Sequence, residues 1–258
     1  MPAYTTVAIV LRRLHYGETD NILTLYSAEQ GRFSAIAKGA RKAISRLSGA
    51  TEVLTCTRFG LATGKSLEIV TQAEVQDSFS VMRQTLTRLA HGLYLADLTD
   101  HSVEDHLPNP ILYDLLWRGL TLTQTVTPPS VVARWFELQL LRDLGYAPDL
   151  SECAVCQIPL PEGFPADEWF ALSALTGGLL CPRHAHPESN DDHSGLSYNA
   201  VVFLQILDGL GLDGDLGIEL PGSRPQEQAR MALRRFLRHR LERDLKSLEF
   251  LDSLRHLG

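Results

Sequence analysis

Cysteine is scarce, four residues in 258. In a chain expected to stay in a reducing compartment, these read as reduced or metal-bound thiols rather than disulfides. Long apolar runs are missing too. None approaches the roughly 20 residues needed to cross a bilayer, which argues against a helical membrane span. The start, MPAYTTVAIVLRR, has no basic residue ahead of its short apolar run, so it does not read as a signal peptide. A cytoplasmic location and no membrane partner are expected. No internal repeat or low-complexity tract is visible, which sets aside solenoids and disordered tracts. Nor is there net positive charge: 24 Lys and Arg face 31 Asp and Glu, giving −7. What is present is ordinary, with 44% hydrophobic and 21% charged residues and length enough for one to three domains.

The acidic balance is unevenly spread. Residues 1–80 hold nine Lys and Arg against seven acids; residues 81–223 hold six against nineteen; residues 224–258 hold nine against five. Between Arg32 and Lys65 seven cations meet one acid, Glu52. The densest stretch is AKGARKAISRLSG, residues 37–49, with Lys38, Arg41, Lys42 and Arg46 and no acid. Two basic ends flank an acidic middle, and that asymmetry suggests a polyanionic partner hidden by the net charge.

The first eighty residues have the pattern of strands. YTTVAIVLRRLH, DNILTLYSAE, RFSAIAKG, EVLTCTRFGL and SLEIVTQAEV are rich in β-branched residues or alternate apolar with polar. Five strands at such short spacing fit a small OB-fold barrel, with the basic run as one loop-like connection. From Ser80 the spacing becomes helical, with helices expected in residues 81–102, 111–124 and 130–145. Gly145 is expected as a C-cap. A cysteine-bearing segment of loop character follows, Pro148 to Pro187. Two more helices are expected to close the chain: NAVVFLQILDGL, and a long one from about Gln226 to Leu257. The expected class is α+β: an OB-fold β-barrel at 1–80, then an α-helical domain at 81–147 and 190–258, with a zinc-finger-like insertion at 148–189.

That insertion carries the sharpest motif. CAVC supplies Cys153 and Cys156, and CPRH supplies Cys181 and His184. Two pairs, each with two intervening residues, can wrap one tetrahedral ion, and thiolate with imidazole suits zinc. Four ligands make a closed, structural Zn2+ site rather than a catalytic one with an open position. His186 is an alternative fourth ligand. A zinc deaminase would need His-x-Glu ahead of Pro-Cys-x-x-Cys, whereas here His186-Pro187-Glu188 comes after the pair and Glu152 stands where Pro is required. Cys56 falls in an expected strand and reads as a core thiol.

GLATGKS, residues 60–66, imitates a phosphate-binding P-loop. It has three residues between the glycines instead of four, and it leads into an alternating, strand-like segment where a helix is required. It reads as a hairpin turn carrying Lys65.

The basic run reads either as a solvated loop or as a phosphate contact. Gly39, Ala40, Ala43 and Ser45 between its cations would let a backbone come close. OB-folds bind single strands through loops and one sheet face. Phe33 and Phe59 read either as stacking residues or as core, and Arg32 and Lys65 extend the patch. In the last helix Leu233, Leu237, Leu241 and Leu245 form one stripe, and Arg234, Arg235, Arg238 and Arg243 lie off it. That helix reads as an amphipathic packing element or as a second anion site. A zinc-dependent hydrolase or deaminase, and a protein-interaction scaffold that does not touch DNA, are the rival functions.

LHYGETDNILTLYSAEQGRFSAIAKGARKAISRLSG resembles the N-terminal signature of the RecO family of bacterial recombination mediators. The shared features are a Y-G-E-x-D turn (Tyr16, Gly17, Glu18, Asp20), an E-x-G hairpin (Glu29, Gly31) and K-G-x-R-x-x-x-S (Lys38, Gly39, Arg41, Ser45). The order of barrel, helical domain and four-ligand insertion matches as well, with histidine where many members carry a fourth cysteine. The resemblance implies a nucleoid-associated DNA repair protein that is not an enzyme. Such a protein binds single- and double-stranded DNA without sequence preference and anneals complementary strands. It helps load RecA on DNA coated by single-strand-binding protein, working with RecR and engaging the C-terminal tail of the single-strand-binding protein. Lys38, Arg41, Lys42 and Arg46 fall on the matched DNA-binding signature.

Overall fold

A computed structural model describes residues 3–165, 168–185, 193–241 and 246–255. The chain forms two compact units, residues 1–125 with 245–258, and residues 126–244.

In the first unit all five expected strands form: β1 (Ala3–Tyr16), β2 (Asp20–Ser27), β3 (Gly31–Ala37), β4 (Cys56–Ala62) and β5 (Glu68–Asp77). They close into a barrel in the order β1-β2-β3-β5-β4. β3 and β5 run parallel and the other pairs antiparallel, which is the OB-fold arrangement. Alternation along the strands sends Ala8, Val10, Leu23, Leu25, Phe33, Ala35, Phe59 and Leu61 into one core. A bulge between Val10 and Arg12 shifts the register of β1 against β2. Before it Val10 faces Leu25; after it Arg13 faces Leu23 and Leu14 faces Ile22. One extra residue therefore reverses which side chains of β1 look outward.

GLATGKS is the end of β4, a tight turn and the approach to β5, as its alternation predicts. The barrel is joined in this unit by α1 (Leu86–Ser102), α2 (Pro110–Thr125) and α6 (Lys246–Arg255). Thr85 caps α1 by accepting from the Arg88 amide. The first turn of α6 is tied to α1, where Ser247 donates from its amide (3.2 Å) and its Oγ (2.6 Å) to Asp97 Oδ2.

The second unit holds α3 (Ser130–Asp143), α4 (Tyr198–Gly209) and α5 (Ser223–Leu241). Trp135 on α3 is fully buried and donates to the Gly211 carbonyl at 2.9 Å. Gly145 follows α3 with φ +76°, the left-handed stop its position predicts.

One expectation is corrected. The segment at 148–187 is not a loop: β6 (Asp149–Cys153), β7 (Trp169–Ser173) and β8 (Gly178–Leu180), with β9 (His193–Ser197), form a sheet in the order β6-β8-β7-β9. Strands of three to five residues are too short to show a period of two. Phe170, Ala171 and Leu172 are all buried, so there is no alternation to see. The expected final helix is described over α5 and α6. Residues 242–245, which include Arg243 and Leu245, lie outside the described residues.

Candidate nucleic-acid interface and metal centre

The basic run is a connection between β3 and β4 whose ends are fastened to the barrel. Ala40 is 1% exposed and belongs to the core, and Leu47 packs against that core. On either side of Ala40 the chain is stitched to the β1–β2 turn. The Gly39 amide donates to Asp20 Oδ1 at 2.8 Å and the Arg41 amide to the Thr19 carbonyl at 2.9 Å. Gly39 has φ +67°, a conformation glycine supplies without strain. The Gly39 amide holds the Asp20 carboxyl below its ordinary range, helped by the Thr19 hydroxyl and by Lys38 and Lys42. Asp20 thus accepts hydrogen bonds from the base of a loop whose cations face outward.

Lys38, Arg41, Lys42 and Arg46 are all exposed. None of the four forms a salt bridge among the described residues. Ile44, between them in sequence, is 97% exposed. An anchored loop that displays four exposed cations, none in a salt bridge among the described residues, suits a polyanionic backbone.

The other expected cations lie elsewhere. Arg32 is taken up by carboxylates, with Nε 2.6 Å from Asp105 Oδ1 and a second nitrogen on the Asp100 backbone and side chain. Beside it Tyr26 donates to the Asn109 carbonyl at 3.2 Å and its ring lies 6.3 Å from that of Tyr113. The α1–α2 segment therefore covers this end of the outer sheet face, and Arg32 is set apart from the four loop cations. Lys65 stands on the β4–β5 turn at a polar cavity of about 320 Å³ lined also by Ser34, Ser66, Glu68 and Asp105. Phe33 and Phe59 are corrected as stacking candidates: they are 2% and 0% exposed, inside the barrel. Cys56 is a buried thiol 3.6 Å from the Tyr113 hydroxyl, and burial raises its pKa.

Of the expected leucine stripe, Leu233 and Leu237 on α5 are buried beside Ala229 and Phe236, and Leu241 is half-buried. Arg235 and Arg238 are exposed and Arg234 half-buried. With Arg230 and Met231 they line a shallow cavity of about 230 Å³. Arg230 is paired with Glu227 on the same helix, Nε to Oε2 at 3.0 Å.

Cys153, Cys156, Cys181 and His184 come together in the second unit, their ligand atoms all within 4.8 Å of one another. The strands explain this. β6 and β8 are neighbours, and the Ala154 amide donates to the Leu179 carbonyl at 2.8 Å. Gly178 permits that pairing, since a Cβ there would lie 2.9 Å from the Asp149 carbonyl oxygen. A turn returns the Gln157 amide to the Cys153 carbonyl (2.8 Å), and another returns the His184 amide to the Cys181 carbonyl (2.8 Å). Cys156 and Cys181 sulfurs are 3.8 Å apart; His184 Nδ1 is 3.5 Å from Cys153 Sγ and 3.2 Å from Cys181 Sγ. A tetrahedral ion with bonds of about 2.3 Å to sulfur and about 2.0 Å to nitrogen sets such ligands about 3.5–3.8 Å apart. The four donors fit one metal ion with no ligand to spare. Burial opposes ionisation of Cys153, but amides of Cys181, Cys156 and Val155 outweigh it and hold the thiol down to about 6. His184 is the histidine in this cluster; His186 lies outside the described residues.

Barrel topology, anchored cationic loop and four-donor cluster together define an OB-fold protein with a residue group that could hold one metal ion. The family model described as recombination protein O N terminal matches residues 1–79, and that described as recombination protein O C terminal matches residues 83–249. The DNA repair protein RecO of Roseiflexus sp. (strain RS-1) is 38% identical over 258 residues, 98% of this chain and 87% of the relative. That of Heliobacterium modesticaldum is 38% identical over 257 residues (98% and 91%), and that of Pelotomaculum thermopropionicum 36% over 252 (98% and 94%). The chain belongs to the RecO family, which places it among DNA repair proteins. Among the described residues no helix is long and apolar enough to cross a membrane.

Proposed function

We infer that this chain is a non-enzymatic, DNA-binding mediator of recombinational repair, which holds single- and double-stranded DNA by the backbone without reading sequence. The observation that carries this reading is the loop of Lys38, Arg41, Lys42 and Arg46, exposed, in no salt bridge among the described residues, and anchored on an OB-fold barrel. Two strands repel through their phosphates. A protein that neutralises both lowers that barrier and leaves the choice of partner to base pairing. Annealing of complementary strands follows from this. The resemblance to the RecO family adds assistance in placing RecA on DNA coated by single-strand-binding protein, in company with RecR. The arginines of α5 are the candidate site for the acidic C-terminal tail of the single-strand-binding protein.

Cys153, Cys156, Cys181 and His184 would hold one structural Zn2+, the soft donor set favouring zinc. The ion would supply a fixed tetrahedral crosslink between the β6 and β8 turns. A closed set of four ligands speaks against a hydrolase or deaminase, which needs an open position.

The test is annealing of two complementary oligonucleotides followed by fluorescence quenching. The protein is expected to raise the bimolecular rate on the order of tenfold or more at low salt, and to lose the effect as salt rises. A rate that does not change with added protein contradicts the reading.

A further inference from the structure

The bulge in β1 has a consequence for the outer face of the barrel. Beyond it Leu14 stands opposite Ile22, and Tyr16 opposite Asp20. Directly opposed residues of an antiparallel pair project from the same face. Leu23 and Leu25 point inward, so Ile22 points outward and Leu14 with it. Tyr16, two residues further, shares that outer face. Leu14 is 65% exposed and Tyr16 55%. The Tyr16 side chain makes no hydrogen bond and no ring contact among the described residues.

Its cross-strand neighbour, Asp20, is the residue that accepts the Gly39 amide at the foot of the cationic loop. The Arg41 guanidinium reaches the carbonyl of Gly17, the residue after Tyr16, at 3.5 Å. An exposed aromatic ring therefore stands where the four cations begin. The same outer face continues through Ser34 on β3 to the cavity beside Lys65.

We propose that Tyr16 is a base-stacking platform, which makes the cationic loop of the barrel favour single-stranded over double-stranded DNA. The proposal rests on the DNA-binding reading above and adds a discriminating residue to it. Cations attract any phosphate backbone, duplex included. A ring can stack only on a base that is free of its own neighbours, and this contact is sequence-tolerant because every base has a π-face. The phenol ring on a pinned strand end costs little entropy to present, since only two side-chain torsions need settle.

The experiment is fluorescence anisotropy at one moderate salt concentration, with a 20-nucleotide oligo(dT) and a 20-base-pair duplex as probes. Tyr16→Ala is compared with Tyr16→Phe. Base-aromatic stacking of the usual strength predicts that Tyr16→Ala weakens oligo(dT) binding about 5- to 150-fold. Duplex affinity and the salt slope stay as in the unaltered protein, and Tyr16→Phe, which keeps the ring, retains single-strand binding. The proposal is overturned if Tyr16→Ala leaves oligo(dT) affinity within about twofold, if both probes weaken alike, or if Tyr16→Phe is as poor as Tyr16→Ala. The DNA-binding reading fails separately, through an unaltered protein that binds neither probe. Tyr16 is exposed, so its replacement leaves the fold intact, and a thermal melt of each variant checks this.

Discussion

Replacing Lys38, Arg41, Lys42 and Arg46 together with alanine is expected to lower affinity for single-stranded DNA several hundredfold at about 0.1 M salt. Each phosphate contact on a single strand releases about 0.7 of a counterion, so at 0.1 M salt each contributes about fivefold relative to 1 M salt. Four such contacts multiply to several hundredfold, and their loss flattens the plot of log affinity against log salt by about three. All four side chains are exposed and none forms a salt bridge among the described residues, so the fold does not depend on them. The backbone bonds that anchor the loop, from Gly39 to Asp20 and from Arg41 to Thr19, do not involve the removed atoms. A titration of labelled oligonucleotide with the variant checks this, with thermal unfolding as control. A variant that binds as tightly as the unaltered protein, with the same salt slope, removes the loop from the interface.

Losing the metal ligands is expected to act on stability first. Cys181 is fully buried and its sulfur lies near both Cys156 and His184, so Cys181→Ala removes a central donor. Structural zinc contributes about 10–16 kcal/mol of apparent folding free energy in finger peptides that have little else. Here the sheet also buries Phe170, Leu172, Leu179 and Leu196, so part of the structure outlasts the ion. A loss of about 5 kcal/mol is expected, or about 10–20 °C in thermal midpoint for a unit of this size. Metal analysis should find one zinc per chain in the unaltered protein and none in Cys181→Ala, and calorimetry should find the lowered midpoint in the variant and after chelation. An unchanged midpoint with the metal gone would mean that the four donors do not staple the sheet. The loop cations belong to the other compact unit, so DNA affinity measured well below the lowered midpoint is expected to stay within about twofold.

The barrel was legible because its strands are seven or more residues long and each buries one face, which is what alternation reports. That Cys153, Cys156, Cys181 and His184 come together was legible because the spacing within each Cys-x-x-Cys or Cys-x-x-His pair already sets the bite such donors would have on an ion. The sheet around them was not. Its strands are too short for a period, and buried apolar residues on both faces, such as Phe170 and Ala171, erase what pattern remains. Phe33 and Phe59 were offered as stacking residues for their nearness to the basic run, yet Phe33 alternates with Arg32 and Ser34, and Phe59 with Arg58 and Gly60, which sets both on the inner face. Tyr16 was passed over for a different reason. Its outward aim depends on a one-residue bulge at Val10–Arg12, a feature of the pairing that no local pattern announces. Arg32 joined the expected patch by proximity in sequence, whereas its partners, Asp100 and Asp105, come from the end of α1 and the segment after it, some seventy residues on.

The central claim is that the anchored loop holds DNA by its phosphates and does not read bases. The salt dependence of binding to single-stranded oligonucleotides of unrelated sequence tests it most directly. The predicted result is a slope of log affinity against log salt of about −3 or steeper, the same for each sequence. A slope near zero, or affinities that differ more than about tenfold between sequences at one salt concentration, would contradict it.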